Sequence, residues 1–129
     1  MVNDFSRPGW PAKFARALRG VALGTVGQSS FLAHAVFLVA VLAGGVLLSV
    51  SRFEWYILCL CITVVLAAEL FNSSLERMAK AITSDHNDHI RDALDVASGA
   101  VLVCATGAAA TGSIVFVFRW GALVGWWAG

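Results

Sequence analysis

A chain of 129 residues, 59% of them hydrophobic and with a mean hydropathy of +0.79, forms one small unit. It is too apolar to hide its surface in a water-soluble core, so the bilayer is its expected solvent. Nine Lys and Arg against eight Asp and Glu, with no basic tract, argue against nucleic acid as a partner.

The first predicted element covers residues 11–27. Phe14, Leu18, Val21 and Ala22 recur at helical spacing, while Lys13, Arg16 and Arg19 take another face and Pro11 suits a first turn. A basic amphipathic helix lying on a membrane surface is expected, either as a simple anchor or with a share in nucleotide binding. No cleavable signal peptide is expected, because the first apolar run starts near Phe31 and is too long for one. That run, 31–50, is broken only by His34 and Ser49. A second covers 55–78, apolar to Phe71 except for Glu69, and then continues as a helix into water. The third, 96–118, has no ionisable group but Cys104. Each approaches or exceeds the roughly 20 residues that cross a bilayer. Gly99, Gly107, Ala108, Ala109, Ala110 and Gly112 suit close helix packing in a bundle or oligomer. Cys59, Cys61 and Cys104 lie in apolar runs and read as small core residues, since Cys-x-Cys matches no zinc spacing.

Basic residues set the orientation. Arg7, Lys13, Arg16 and Arg19 precede the first span, and Arg77, Lys80 and Arg91 follow the second; only Arg52 and Arg119 fall on the other side. The N-terminus and the 77–95 connection are therefore expected in the cytoplasm and the C-terminus outside. Trp55, Tyr56, Trp120, Trp126 and Trp127 fit an outer aromatic belt. Within the connection, His86 and His89 flanked by Asp85 and Asp88 could suggest zinc, but two imidazoles in a turn read better as a solvated loop.

The most informative residues are polar. Fourteen uncharged residues, Trp55 to Ala68, lead into Glu69. A carboxylate there costs roughly 2.5–3.5 kcal/mol to insert, so a function is the default hypothesis. Glu69, Asn72, Ser73 and Glu76 share one helix face within about two turns. Such a stripe suits cation binding with proton abstraction; its plainer readings are polar contacts between helices and, for Glu76, an ion pair with Lys80 at the i, i+4 spacing.

The segment Ala68-Glu69-Leu70-Phe71-Asn72-Ser73-Ser74-Leu75-Glu76-Arg77, followed by Arg91-Asp92-Ala93-Leu94-Asp95-Val96-Ala97-Ser98-Gly99-Ala100-Val101-Leu102, resembles the prokaryotic diacylglycerol kinase and undecaprenol kinase family. Leu18-Arg19-Gly20-Val21 and Phe31-x-x-His34 are also similar to it. The resemblance implies an all-α membrane protein, one domain over 1–129, with a surface helix and three transmembrane helices in a homotrimer of the bacterial inner membrane. It further implies transfer of the γ-phosphate of ATP, with Mg2+, onto a lipid hydroxyl at the cytoplasmic interface. Glu69 matches the proton acceptor, in contact with the lipid substrate; Glu76 matches a metal and nucleotide ligand; Asn72 supports the site. Asp85, His86, Arg91 and Asp95 fall near nucleotide contacts, and Ser98 matches a position facing the lipid substrate. Three positions depart from the pattern. A metal-binding glutamate is Gln28, an acidic residue is Lys80, and a phosphate-binding lysine is Leu94; Lys80 or Arg91 could restore the charge.

Diacylglycerol is the acceptor expected first, giving phosphatidate, and undecaprenol the alternative. A family member that has lost catalysis and acts as a scaffold, and a small ion-conducting oligomer, are readings of another class. The second fits less well, because the polar stripe is confined to one end of a span and does not cross the membrane.

Overall fold

The computed structural model describes residues 9–25 and 29–126, and every regular element among them is a helix. Helix α1 runs Trp10–Thr25, α2 Ser29–Leu47, α3 Arg52–Ile82 and α4 Asp88–Leu123. Gln28 lies outside the described residues, as do the last two positions of the predicted surface helix, Arg7 and Trp127.

The chain is organised around α3 and α4, which pack along each other, with α1 and α2 resting more lightly on them. At 31 and 36 residues, these two helices are long and apolar enough to cross a membrane. The apolar part of α2, Phe31–Leu47, is shorter. The predicted continuation of the second helix beyond the apolar run is present and reaches Ile82. The third helix differs from expectation, beginning at Asp88 rather than Val96. Asn87 caps it, accepting from the Ile90 N–H at 3.2 Å, so the 77–95 connection contracts to a turn at 83–87.

The α2–α3 turn is built from two caps in succession. Ser49 adopts φ 51°, its N–H bonds the Val46 carbonyl, and the Val50 N–H bonds that of Gly45, closing a Schellman motif. That left-handed residue ends α2 at Leu47 instead of the expected Val50. Two residues later Ser51 opens α3 with a reciprocal capping box: its hydroxyl accepts from the Glu54 N–H, and Glu54 accepts from the Ser51 N–H.

Few apolar side chains are buried. Val50, Leu58 and Val115 form the core, with Val41, Trp55 and Phe116 packed against it. Large residues such as Phe37, Leu47, Leu60, Phe71, Leu102 and Val103 are exposed, the pattern of a chain whose solvent is hydrocarbon. Trp55, expected in an aromatic belt, is half-buried over Gly45, while Tyr56 stays exposed. Of the small residues expected to pack, Gly112 is buried near Leu58, whereas Gly99 and Gly107 face open space within the chain.

Gly45 is required by geometry. A Cβ there would lie 2.5 and 2.7 Å from two Trp55 ring atoms, and a rigid indole wedged between helices has little room to turn. Gly45→Ala is expected to destabilise the α2–α3 contact by about 1–3 kcal/mol, the usual cost of overpacking, read as a lower midpoint of unfolding in detergent. An unchanged midpoint would mean that Trp55 moves freely.

An ion pair not anticipated from the sequence ties the same end of the molecule. Arg119 Nε donates to both Glu54 carboxylate oxygens, at 3.0 and 2.7 Å, and its terminal nitrogen also bonds Oε2. The pair joins α3 to α4 and is part-buried. Counting basic residues alone overlooked it, although Glu54 and Arg119 bound adjacent spans at one end. Arg119→Leu leaves the carboxylate of Glu54 without its partner and is expected to destabilise more than the double change Arg119→Leu with Glu54→Gln. Thermal unfolding of both variants tests this; equal losses would show that the orphaned carboxylate of Glu54 carries no penalty.

Candidate active site

The most deeply buried side chains are not all apolar. Glu69 is 2% exposed, Ser73 0% and Asn72 8%, all on one face of α3. Their burial comes from α1 and α2 rather than from α4 alone. Ser73 Oγ donates to the Gly24 carbonyl at 3.4 Å, and the Arg77 guanidinium donates to the Leu23 carbonyl. These bonds satisfy free carbonyls at the end of α1 and dock it on α3. Close approach depends on Gly24, where a Cβ would sit 2.5 Å from Leu70 Cδ2. The predicted surface helix is thus amphipathic along its length yet anchored to α3 at its C-terminal end. Ser73, read as part of a cation-binding stripe, instead spends its hydroxyl on this joint.

Asn72 is tied to the Glu76 end of the stripe. Its Nδ2 donates to Glu76 Oε1 at 2.9 Å, while its own Oδ1 is buried without a hydrogen-bond partner among the described residues. Glu69 Oε1 is likewise buried and unpartnered; Glu69 Oε2 lies 3.6 Å from His34 Nε2 on α2. Leaving such acceptors unsatisfied costs about 1–3 kcal/mol each, so the stripe is expensive as pure structure. Glu69 and Glu76 are separated by about 10 Å along the helix, at 1.5 Å per residue.

Where α3 ends and α4 begins, an open cleft of about 380 Å³ is lined by Glu76, Ala79, Lys80, Thr83, Asp85, Ile90 and Leu94. Two of the three departures from the family pattern face this cleft together. Leu94 contributes no charge, and Lys80, from the opposite helix, brings one ammonium group to the same space. Arg91 does not line it. Its guanidinium lies 3.0 Å from Asp88 and 3.5 Å from Asp92, and also contacts His86. His86 bonds Asp88 at 3.1 Å, so the predicted solvated turn is an exposed ion-paired cluster. Asp85 thus lines the same cleft as Glu76, while Arg91 and His86 are engaged with Asp88 and do not line it. Asp95 and Ser98 are exposed on α4. Thr63, Thr106 and Thr111 each donate to the carbonyl four residues back, which commits their hydroxyls to their own helices rather than to a polar path through the membrane.

No cluster of three or more His, Cys, Asp or Glu forms a metal cage among the described residues. A divalent cation held mainly by phosphate oxygens needs less: one or two carboxylates suffice for magnesium. Glu76, oriented by Asn72, and the free Asn72 Oδ1 form a donor set of that kind.

This geometry coincides with a family assignment. The sequence profile described as prokaryotic diacylglycerol kinase matches residues 15–116. The chain belongs to that family. Its members are lipid kinases of prokaryotic membranes. An undecaprenol kinase of Bacillus subtilis (strain 168) is 34% identical over 104 residues, covering 81% of this chain and 85% of that protein. No solved structure matches. The matched region contains Glu69, Asn72 and Glu76 and the whole cleft.

Proposed function

We propose that this protein is a polyprenol kinase, moving the γ-phosphate of ATP onto the terminal hydroxyl of undecaprenol. Diacylglycerol, the acceptor expected first from the sequence, becomes the second choice, because the relative at 34% identity is named for undecaprenol. The single observation that carries the catalytic reading is the family-like stripe of buried Glu69 and Asn72 with half-buried Glu76, whose outer member opens on a cleft large enough for phosphates.

In this reading Glu69 is the catalytic base. Its unpartnered Oε1 takes the proton of the acceptor hydroxyl as that oxygen bonds to the γ-phosphorus. The bond from γ-phosphorus to the bridging oxygen breaks, and ADP leaves with the electron pair. Glu76 and Asn72 would hold Mg2+, joined by Gln28; when bound, the ion supplies charge neutralisation across the phosphates. Lys80 provides the ammonium group that Leu94 lacks, acting as a point charge rather than a bidentate clamp. The lipid alcohol reaches Glu69 from the bilayer, and Ser98 belongs to the lipid side. The assembly is a homotrimer in the bacterial inner membrane, α2 being the third span. The N-terminus and cleft are cytoplasmic and the C-terminus is outside.

Purified protein in mixed lipid micelles, given ATP and equal amounts of undecaprenol and dioleoylglycerol, is expected to make mainly undecaprenyl phosphate. Preferential formation of phosphatidate would reverse the choice of acceptor, and phosphate on neither lipid would overturn the kinase reading. A neutral amide at Gln28 weakens metal binding, so Gln28→Glu is expected to lower the magnesium needed for half-maximal rate. An unchanged requirement would remove Gln28 from the ligand set.

A further inference from the structure

The contact between α2 and Glu69 gives the base a neighbour of its own. His34 sits early in α2 and is 17% exposed, reaching across the α2–α3 contact to a carboxylate that is 2% exposed. Only one carboxylate oxygen faces the imidazole: Oε2 lies 3.6 Å from Nε2, while Oε1 has no hydrogen-bond partner among the described residues. The spacing is slightly longer than a direct hydrogen bond, so the two groups are poised rather than locked. In either charge state an imidazole can present an N–H at Nε2, whereas no aliphatic side chain can.

We propose that His34 is a positioning residue for Glu69. It holds the carboxylate by Oε2, so that Oε1 points to the acceptor hydroxyl. This rests on the kinase reading above, and assigns to α2 a part in the reaction that the sequence stripe on α3 did not contain. A carboxylate with free rotation would present its basic lone pair to the hydroxyl only part of the time, and small misplacement of reacting groups costs about 100-fold in rate. The imidazole removes that freedom without touching substrate.

The test combines three variants in one assay of ATP-dependent phosphate transfer to undecaprenol. His34→Leu is expected to lower kcat about 10- to 100-fold with the lipid KM little changed, the signature of a contact used in the reaction rather than in binding. His34→Gln, which keeps an N–H donor at similar reach, is expected to recover most of the loss. In a Glu69→Gln background, His34→Leu should cost nothing further, because its partner's basicity is already gone. An unchanged kcat in His34→Leu would overturn the proposal while leaving the kinase reading intact. So would an equal loss in the Glu69→Gln background, or a His34→Gln as poor as His34→Leu. A parental protein that phosphorylates no lipid alcohol would sink the kinase reading, and this role with it.

Discussion

Glu69→Gln is expected to lower phosphate transfer by about 10²–10⁴-fold, the usual cost of losing a general base. The amide keeps the size and polarity of the side chain, so it can still occupy the buried position and face His34. What it loses is the capacity to take a proton. Because Glu69 is 2% exposed and its Oε1 has no hydrogen-bond partner among the described residues, water has little access to substitute for it. Nucleotide binding in the cleft, roughly two helical turns away, should be preserved, as should assembly and thermal stability. Initial rates at saturating ATP and lipid, beside nucleotide affinity by calorimetry, separate these effects. A variant with near-parental turnover would take the base role away from Glu69.

Glu76→Gln is expected to act differently, through the metal. A residue that only orients a metal ligand costs about 10–100-fold when removed, so losing the carboxylate itself should cost at least about 100-fold at fixed magnesium. Part of the loss should be recovered by raising the magnesium concentration, which cannot happen for Glu69→Gln. Asn72→Leu, which removes the 2.9 Å bond to Glu76 Oε1, should fall between parental protein and Glu76→Gln, with the same partial rescue. Rates measured across a magnesium titration check both. If Glu76→Gln shows the parental magnesium dependence, the ion is held elsewhere.

These expectations began on one helix, and the local part of the site was readable there. A 3.6-residue period alone puts Glu69, Asn72, Ser73 and Glu76 on a common face, and the family pattern assigns three of them roles. The helix identities and the extension of α3 past the apolar run were equally accessible, since hydropathy and periodicity act over short windows. Contacts between distant elements were not. His34 sits 35 positions before Glu69, and although it breaks an apolar run and belongs to the family-like Phe31-x-x-His34, nothing in the sequence pairs it with Glu69. Only the packing of α2 on α3 brings the two together. The Ser73–Gly24 and Arg77–Leu23 bonds were hidden for the same reason, so the stripe alone could not say that Ser73 serves as a contact between helices. The start of α4 was placed late because charged residues 88–95 look like a loop in a hydropathy profile. Yet Asn87 is a good N-cap, and the Asp88–Arg91 pair supports a first turn in water.

The exchanged charges in the cleft show how far such a reading extends. From the sequence, Lys80 and Leu94 are two departures from the family pattern, with Lys80 or Arg91 as candidates to restore the charge. Facing one cleft, they amount to a cation moved from α4 to α3, with Glu76 and Asp85 close by. That rearrangement supports an active enzyme over a scaffold, without requiring Arg91, whose charge is spent on Asp88 and Asp92.

Phosphorylation of a membrane alcohol at the polar stripe on α3 is the activity on which every residue role above depends. It is tested most directly by incubating the purified, membrane-reconstituted protein with γ-labelled ATP, magnesium and undecaprenol, and following label into the lipid phase. Undecaprenyl phosphate is expected from the parental protein, and about 10²–10⁴-fold more slowly from Glu69→Gln. Label that stays in the aqueous phase with parental protein, or enters lipid equally fast with Glu69→Gln, would contradict it.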